Sequence, residues 1–248
     1  MSLSEYDRQR YRRQIMMPGF GEQAQLRLKS ATVLIAGLGG LGSPLALYLA
    51  AAGVGHLKLV DMDDVEISNL NRQVLHWDDD VGKAKVTSAS QKVEKINPTT
   101  HVEGFNLTID DTNVFELTKN CDVILDALDN FSARYTLNAA AIFHRVPLIH
   151  GAVYGFEGRM ASVVPGKTAC LECIYPHAAP REMFPVLSTT PGVIALLQAT
   201  EAIKSLTGTG VVLENEMLIY DGETMSFDKV RFKRNPQCKA CAALWSEG

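Results

Sequence analysis

The stretch VLIAGLGGLGS, residues 33–43, decides how the first half of the chain is interpreted. An apolar run ends at Gly37, and Gly37, Gly39 and Gly42 follow the G-x-G-x-x-G spacing that joins a strand to a helix. Glycines let the backbone turn tightly and approach phosphate groups, while free N–H groups at the helix start attract an anion. The pattern predicts a nucleotide-binding turn, and a purely structural glycine turn is the alternative.

A second nucleotide signal is Asp61, which ends the next apolar run about 20 residues after the glycines. A carboxylate at this position can accept hydrogen bonds from both ribose hydroxyls. The turn and Asp61 together indicate an adenosine-like ligand. They leave open whether this ligand is a nicotinamide dinucleotide or ATP.

Short β-rich runs alternate with helical stretches over the first 150 residues. Strands are predicted for residues 31–37, 56–61, 100–106, 122–128 and 146–151. Between them, good helix formers with apolar residues at helical spacing predict helices for residues 43–54, 82–97, 111–120 and 130–145. This alternation predicts a mostly parallel sheet covered on both faces, which is a doubly wound, Rossmann-like α/β fold.

The pattern changes after residue 151. The predicted elements are a hairpin over 152–166 that turns at Phe-Glu-Gly, a proline-rich loop over 179–192, a helix over 192–208 and a second hairpin over 216–232. These hairpins predict an antiparallel extension of the sheet. We expect one domain over residues 1–248, with an N-terminal helical arm (1–30), a nucleotide-binding part (31–151) and a C-terminal part (152–248).

Composition narrows the partners that we expect. The chain has 248 residues and a formal net charge of −4, which gives no general attraction to nucleic acid or to an anionic membrane. The polar start MSLSEYDRQRYRRQ lacks the apolar core of a signal peptide, and no window is long and apolar enough for a membrane span. These features predict a cytoplasmic protein.

The five cysteines are unevenly spaced. Two C-x-x-C pairs supply four thiolates, the usual set for a closed tetrahedral Zn²⁺ site, and they are Cys170, Cys173, Cys238 and Cys241. We expect structural zinc, with redox-active thiols as the alternative. Cys121 precedes an apolar run and is interpreted as a small buried hydrophobic residue.

Polar residues cluster between Asp61 and Lys85, where Ser68 is predicted to cap a short helix. Asp126 and Asp129 end a later predicted strand, at the sheet edge where open α/β folds bind ligands. Clustered basic residues favour a triphosphate with Mg²⁺ over a dinucleotide, because the phosphate charge must be neutralised. A solvated polar loop is the alternative, and it is our interpretation for His76, Trp77 and residues 78–80.

Six motifs in this order resemble the MoeB/ThiF/HesA family, the bacterial relatives of ubiquitin-activating enzymes. They are YRRQ (11–14), GLGGLG (37–42), SNLNRQ (68–73), GKAK (82–85), LDALDN (125–130) and the two cysteine pairs. The resemblance covers nearly the whole chain. It implies ATP-dependent adenylation of the C-terminal glycine of a small ubiquitin-like sulfur carrier, of the MoaD/ThiS kind, that ends in Gly-Gly. It also implies a homodimer.

The resemblance also implies residue roles. Asp129 is matched to a carboxylate associated with Mg²⁺, Arg72 and Lys85 to phosphate contacts, and Arg13 to an arginine that reaches the partner's ATP. These four form the expected catalytic set. The expected nucleotide-binding set is Gly37, Gly39, Gly40, Gly42, Asp61, Asp63, Ser68, Asn69, Asn71, Arg72, Lys85, Asp129 and Asn130.

Within this family, the MoeB type serves molybdopterin synthesis. The 179–192 loop has no cysteine for covalent sulfur chemistry, and Arg181 lies where one would align. This favours an enzyme that stops at the acyl-adenylate and receives sulfur through a separate sulfurtransferase. The carrier-binding part is expected over 152–248, with His150 and Tyr154 lining a channel for the carrier tail. Three alternatives remain open: a ThiF- or HesA-type role, an NAD-dependent dehydrogenase, and a non-catalytic carrier-binding protein.

Overall fold

The computed structural model describes residues 2–177 and 184–245. The strands are β1 (Thr32–Ala36), β2 (His56–Val60), β3 (His101–Phe105), β4 (Val123–Asp126), β5 (Leu148–Tyr154), β6 (Glu157–Val163), β7 (Glu216–Asp221) and β8 (Ser226–Arg231). The α-helices are α1 (Glu5–Arg10), α2 (Arg12–Ile15), α3 (Gly21–Ser30), α4 (Gly42–Ala52), α5 (Lys85–Ile96), α6 (Val114–Leu117), α7 (Phe131–His144), α8 (Leu171–Ile174) and α9 (Thr189–Thr207).

The eight strands form one sheet in the order β3-β2-β1-β4-β5-β6-β7-β8. β3, β2, β1, β4 and β5 are parallel to one another, and β6, β7 and β8 continue the sheet in antiparallel pairing. The predicted doubly wound α/β fold with an antiparallel C-terminal extension is therefore confirmed. In a sheet of this kind, ligands bind at the carboxyl ends of the parallel strands.

Two apolar cores cover the two faces of the sheet. Alternate residues of β1 point to opposite sides, so Val33 and Ile35 pack with α4, α5 and α9, whereas Leu34 and Ala36 pack with α6 and α7. The cysteine pairs lie in the second core. This layering explains why the central strands read as continuous apolar runs rather than as alternating ones.

The fifth strand differs from its prediction. It does not end at residue 151 but runs to Tyr154, pairing with β4 over Leu148–His150 and with β6 over its whole length. The following turn is Gly155-Phe156, not Phe-Glu-Gly, because Tyr154 pairs directly with Glu157. Gly155 has φ +56°, the conformation that a two-residue hairpin turn needs at its first position.

The predicted loop and final helix also differ in extent. α9 begins at Thr189 rather than at 192, with Pro191 in its first turn, where proline is tolerated. Val186 forms a bridge with Gly155 beside the β5–β6 turn. Residues 179–183 of the predicted loop, including Arg181, lie outside the described residues. Over 2–177 and 184–245, no helix is both long and apolar enough to cross a membrane.

Candidate nucleotide site and four-cysteine cluster

The glycine turn connects β1 to α4 and has no room for side chains at two positions. A Cβ atom at Gly42 would lie 1.8 Å from the carbonyl oxygen of Gly37. Gly37 itself has φ +92°, and a Cβ there would lie 2.7 Å from the carbonyl oxygen of Ala127. The turn is thus folded back on itself and packed against the segment that follows β4. Glycine is required at both positions for this geometry.

The backbone of Leu38, at the centre of the turn, is held by hydrogen bonds at both its N–H and its carbonyl group. Its N–H donates to Oδ2 of Asp61 at 2.6 Å, and its carbonyl oxygen accepts from Nε2 of His76 at 3.0 Å and from Oγ of Ser43 at 3.1 Å. Asp61 also accepts from the N–H of Asp63 through Oδ1 at 2.9 Å. The strand-end carboxylate therefore lies against the glycine turn, as the sequence pattern predicts.

His76 belongs to a buried polar network that the sequence interpretation missed. Its Nδ1 accepts from Oγ of Ser88 at 2.9 Å, and Ser88 accepts from Nζ of Lys92 at 2.8 Å. Lys92 forms a buried ion pair with Asp80 and lies over the ring of Trp77. Burial lowers the pKa of His76, so the imidazole is neutral at neutral pH.

The prediction of a solvated loop is therefore wrong for two residues. His76 and Asp80 are buried, because α5 packs across the loop and supplies partners for them. The prediction of a solvated loop is confirmed for Trp77, which is 58% exposed, and for residues 78 and 79. One sequence signal for the network is Lys92, a charge within the apolar stripe of α5 beside Ala89 and Val93.

Arg72 and Gln73 border the middle of the glycine turn. A Cβ at Gly40 would lie 3.1 Å from Pro191 of α9 and 3.6 Å from Cγ of Arg72, and Gly39 is similarly close to the amide of Gln73. The Arg72 guanidinium donates to the carbonyl of Ser68 at 2.9 Å and to the side chain of Asn71 at 3.0 Å. A half-buried cation is therefore placed beside the turn by the loop's own backbone.

The short helix in this loop is a 3₁₀ turn, Ile67–Asn69, and it differs from the prediction. Its N-cap is Glu66, and Ser68 lies inside the turn, donating from Oγ to Glu66 at 3.0 Å. The buried Asn69 accepts from the N–H of Glu66 at 3.2 Å. Ser68 is therefore not the cap, because the side chains of Glu66 and Asn69 already cap the turn reciprocally.

Lys85 begins α5 and is brought to the same sheet edge as the residues after β2. Its ammonium donates to Oδ2 of Asp63 at 2.8 Å, and its side chain is only 7% exposed, whereas that of Asp63 is 55% exposed. The nearly buried ammonium of Lys85 is therefore paired with the Asp63 carboxylate, which faces solvent.

Asp129 and Asn130 follow β4 at the same edge. Asn130 is the N-cap of α7, and its side chain accepts from the N–H of Ala133 at 2.9 Å. Asp129 is exposed and lies 3.5 Å from the amide of Asn130. Because Ala127 contacts Gly37, this turn lies next to the glycine turn.

A second buried polar cluster supports the Asp129 turn from below. Asp126, fully buried, accepts from Nδ1 of His150 at 2.6 Å and pairs with Nε of Arg134 at 3.3 Å. Arg134 also donates to the carbonyls of Leu128, at 2.5 Å, and Gly151, at 3.0 Å. Arg134 therefore ties the turn between Asp126 and Asp129 to β5.

The expectation that His150 lines a channel is wrong, and the expectation for Tyr154 stays a prediction. His150 is fully buried, so it does not line an open channel, whereas Tyr154 is 61% exposed. The sequence signal for the buried cluster is Arg134, which shares the apolar stripe of α7 with Leu137 and Ala141. A charge in such a stripe requires a buried partner.

Arg13 is not brought to this site within one chain. Arg13 is exposed on α2. The next residue of that helix, Gln14, donates to the carbonyl of Ala52 at 3.0 Å. Ala52 ends α4, whereas the glycine turn begins it. An α-helix rises about 1.5 Å per residue, so α4 separates α2 from the turn by about 16 Å.

The four paired cysteines converge in space. The Sγ atom of Cys170 lies 3.9 Å from Sγ of Cys173 and 3.6 Å from Sγ of Cys238. The Sγ atoms of Cys173 and Cys241 are 3.6 Å apart. A tetrahedral site with metal–sulfur bonds near 2.3 Å has sulfur–sulfur edges of about 3.8 Å. The four sulfurs are therefore placed to hold a metal ion. Cys121 is buried elsewhere, and burial raises its pKa to about 11, which confirms its structural interpretation.

The fold and site define a doubly wound α/β protein with a glycine-turn site at one sheet edge and a four-cysteine cluster. The sequence matches the ThiF family over residues 11–240, so the chain belongs to the ThiF family. The predicted family resemblance is confirmed.

Two curated relatives and one solved structure illustrate the match. The chain is 43% identical over 247 residues to the SAMP-activating enzyme E1 of Haloferax volcanii, covering 97% of this chain and 91% of that one. It is 38% identical over 252 residues to the sulfur carrier protein adenylyltransferase of Thermus thermophilus, covering 97% and 93%. The crystal structure of E. coli MccB with ATP superposes with a TM-score of 0.78 at 28% identity, covering 88% of this chain and 68% of MccB.

Proposed function

We propose that this chain adenylates the C-terminal glycine of a small ubiquitin-like sulfur carrier of the MoaD/ThiS kind that ends in Gly-Gly. The reaction is R–COO⁻ + ATP → R–CO–AMP + PPi. The observation that carries the proposal is the glycine turn held by Asp61 and bordered by Arg72, in a chain of the ThiF family. The names of the Haloferax and Thermus relatives and the ATP bound to MccB support the same chemistry.

The nucleophile in this reaction needs no general base. A chain-terminal carboxyl group has a pKa of about 3.5, so it is ionised at neutral pH. The barrier is instead the repulsion between this carboxylate and the phosphates of ATP. Fixed positive charge beside the α-phosphate lowers that repulsion and stabilises the departing pyrophosphate.

Different groups of the site would bind the nucleotide and neutralise its charge. The free N–H groups at the start of α4 and the bare glycine turn would bind the phosphates, and Asp61 the ribose. Arg72 and Lys85 would supply the fixed positive charge, with Lys85 exchanging its Asp63 partner for phosphate. Asp129 is an exposed oxygen ligand beside the turn, of the type that Mg²⁺ prefers. Mg²⁺, when bound, would neutralise phosphate charge.

The proposal includes a homodimer in which Arg13 acts on the partner's site. The support is that α4 keeps Arg13 away from the glycine turn of its own chain. A mixture of inactive Arg13→Ala and Asp129→Ala chains tests this directly. Mixed dimers would contain one intact site, so activity should return to about a quarter of the parent level. No recovery after subunit exchange would exclude action across a dimer.

The four-cysteine cluster is proposed to hold structural Zn²⁺. Four sulfur ligands close the coordination shell and leave no position for substrate. The N–H of Asn235 points at Sγ of Cys173 at 3.4 Å, an outer contact suited to a thiolate. Metal analysis should find zinc in the parent chain, and Cys238→Ser should lose one equivalent per chain together with thermal stability. Reversible disulfides with no bound metal would favour redox thiols instead.

The pathway that we propose is molybdopterin synthesis, with sulfur delivered by a separate sulfurtransferase. The absence of a cysteine from the sequence of the 179–192 loop supports this choice. A ThiF- or HesA-type role with another carrier is the alternative. Incubating the chain with each of a set of purified Gly-Gly-ended carriers decides between these roles, because the carrier that is adenylated identifies the pathway.

ATP–pyrophosphate exchange tests the activity itself. Exchange should require a carrier that ends in Gly-Gly and should disappear in Asp129→Ala. Asp228→Ala is the matched control, because Asp228 is also an exposed aspartate but lies on β8, at the far edge of the sheet. Exchange that persists undiminished in Asp129→Ala would contradict the role given to Asp129. Exchange without any carrier would contradict the proposed substrate.

A further inference from the structure

A second cluster of metal-ligand side chains lies on the neighbouring strands β2 and β3. β2 and β3 are parallel, and His56 pairs directly with His101. Glu103 follows two residues after His101, so strand periodicity places it on the same face. Two imidazoles and a carboxylate therefore meet on one face of the strands. We call His56, His101 and Glu103 the edge cluster, because β3 is the edge strand of the sheet.

The ligand atoms of the edge cluster have the spacing of a metal site. Nε2 of His56 lies 3.2 Å from Oε1 of Glu103, and Nε2 of His101 lies 3.7 Å from the same oxygen. The three ligand atoms all lie within 4.8 Å of one another. A tetrahedral ion with bonds near 2.1 Å has ligand–ligand edges of about 3.4 Å. Small side-chain rotations would bring all three atoms onto such an ion.

His56 has a buried nitrogen that lacks a hydrogen bond. Its Nε2 is enclosed, and the approach of Glu103 does not have hydrogen-bond geometry. On the other side of the ring, Nδ1 lies 3.5 Å from Oγ1 of Thr32. A proton on Nδ1 that points to this hydroxyl would leave the Nε2 lone pair free for a metal, the arrangement in which an outer partner orients a ligand histidine.

A nearby cation does not occupy the carboxylate. Lys58 pairs with Glu103 in the strand register, yet its ammonium donates to the carbonyls of Leu117, at 3.2 Å, and Lys119, at 3.0 Å. Glu103 is therefore turned to the histidines rather than to the lysine. The side chain of His101 is 69% exposed, so the cluster is open to water and to ions in solution.

We propose that the edge cluster binds one divalent transition-metal ion of the Zn²⁺ class, with water completing the coordination. Two imidazoles and one carboxylate suit Zn²⁺, Cu²⁺ or Ni²⁺ better than Mg²⁺ or Ca²⁺. The cluster lies where β2 and β3 begin, whereas the glycine-turn site lies where the parallel strands end. The ion therefore takes no part in adenylation, and it fastens the edge strand β3 to β2.

Cobalt titration of the full chain, with the cysteines already loaded with zinc, tests this site. Co²⁺ in a four-coordinate site of nitrogen and oxygen ligands gives strong visible bands, and thiolate coordination adds an intense near-ultraviolet band. The parent chain should bind one equivalent without that ultraviolet band. His101→Ala and Glu103→Gln should each weaken binding at least tenfold. His144→Ala, at a histidine of α7 outside the cluster, should bind like the parent.

Hydrogen exchange on the unmodified chain gives a second readout. Zn²⁺ should slow amide exchange over His101–Phe105 in the parent chain, because the ion joins β3 to β2. No extra equivalent of Co²⁺, equal affinity in His101→Ala, or unchanged exchange in β3 would each overturn the proposal. Neither measurement involves ATP or a carrier, so the result is independent of the proposed adenylation.

Discussion

Replacing His76 by phenylalanine should loosen the glycine turn while keeping the core filled. The imidazole makes two buried hydrogen bonds, to the carbonyl of Leu38 at 3.0 Å and to Oγ of Ser88 at 2.9 Å. Phenylalanine fills similar space but makes neither bond. The Leu38 carbonyl keeps its bond from Ser43, and Ser88 keeps its bond from Lys92, so neither group becomes completely unpaired.

These contacts set the size of the effect. A buried hydrogen bond contributes about 1 kcal/mol net, so losing two should lower the free energy of unfolding by about 2 kcal/mol. The bond to Leu38 is the one that positions the turn. Its loss alone, at about 1 kcal/mol, corresponds to about a fivefold rise in the Kd for ATP.

Urea unfolding and calorimetric ATP binding measure the two effects separately. The control is His177→Phe, the same substitution at an exposed histidine after α8, which should change neither quantity. Unchanged stability in His76→Phe would refute the buried network as a source of stability. Lower stability with unchanged ATP affinity would refute the claim that His76 positions the turn.

Three further predictions use the same unfolding assay. Gly42→Ala should lower stability by about 1–3 kcal/mol, because the new Cβ meets a backbone oxygen at 1.8 Å, whereas Gly192→Ala in the open space of α9 should raise it by up to about 1 kcal/mol. Lys92→Met should cost about 1–3 kcal/mol, because the Asp80 carboxylate loses its buried cation and keeps Lys83 and the N–H of Trp77; an unchanged midpoint would show that the pair is not buried in solution. Burial lowers the pKa of His76, so stability should fall as the pH drops below about 6.5, and His76→Phe should flatten that fall.

The fold was predictable because the central strands and their helices carry strong local signals. The boundary at residue 151 was not, because Gly151 resembles a strand end. In the structure, a Cβ at Gly151 would lie 2.3 Å from Oε1 of Gln198. The glycine therefore marks the close approach of α9 to a continuing strand, and only the packing of distant residues reveals this.

The site was predictable where backbone geometry dictates the residue type. The glycine turn and Asp61 follow from the needs of a strand–turn–helix unit that binds phosphate. The buried positions of His76 and Asp80 could not be derived from a polar stretch, since their burial depends on α5 folding across them. Lysine and arginine within apolar helix stripes, at Lys92 and Arg134, were the available signals of buried polar networks.

Transfer of label from ATP to the carrier tests the central claim most directly. The chain is incubated with Mg²⁺, a Gly-Gly-ended carrier and ATP labelled at either the α- or the γ-phosphate. Adenylation predicts that only the α-label reaches the carrier, whose mass rises by one AMP, and that pyrophosphate is released. A carrier labelled from the γ-phosphate would show attack at the wrong phosphorus. With every Gly-Gly-ended carrier tried, the absence of label would contradict the proposed activity.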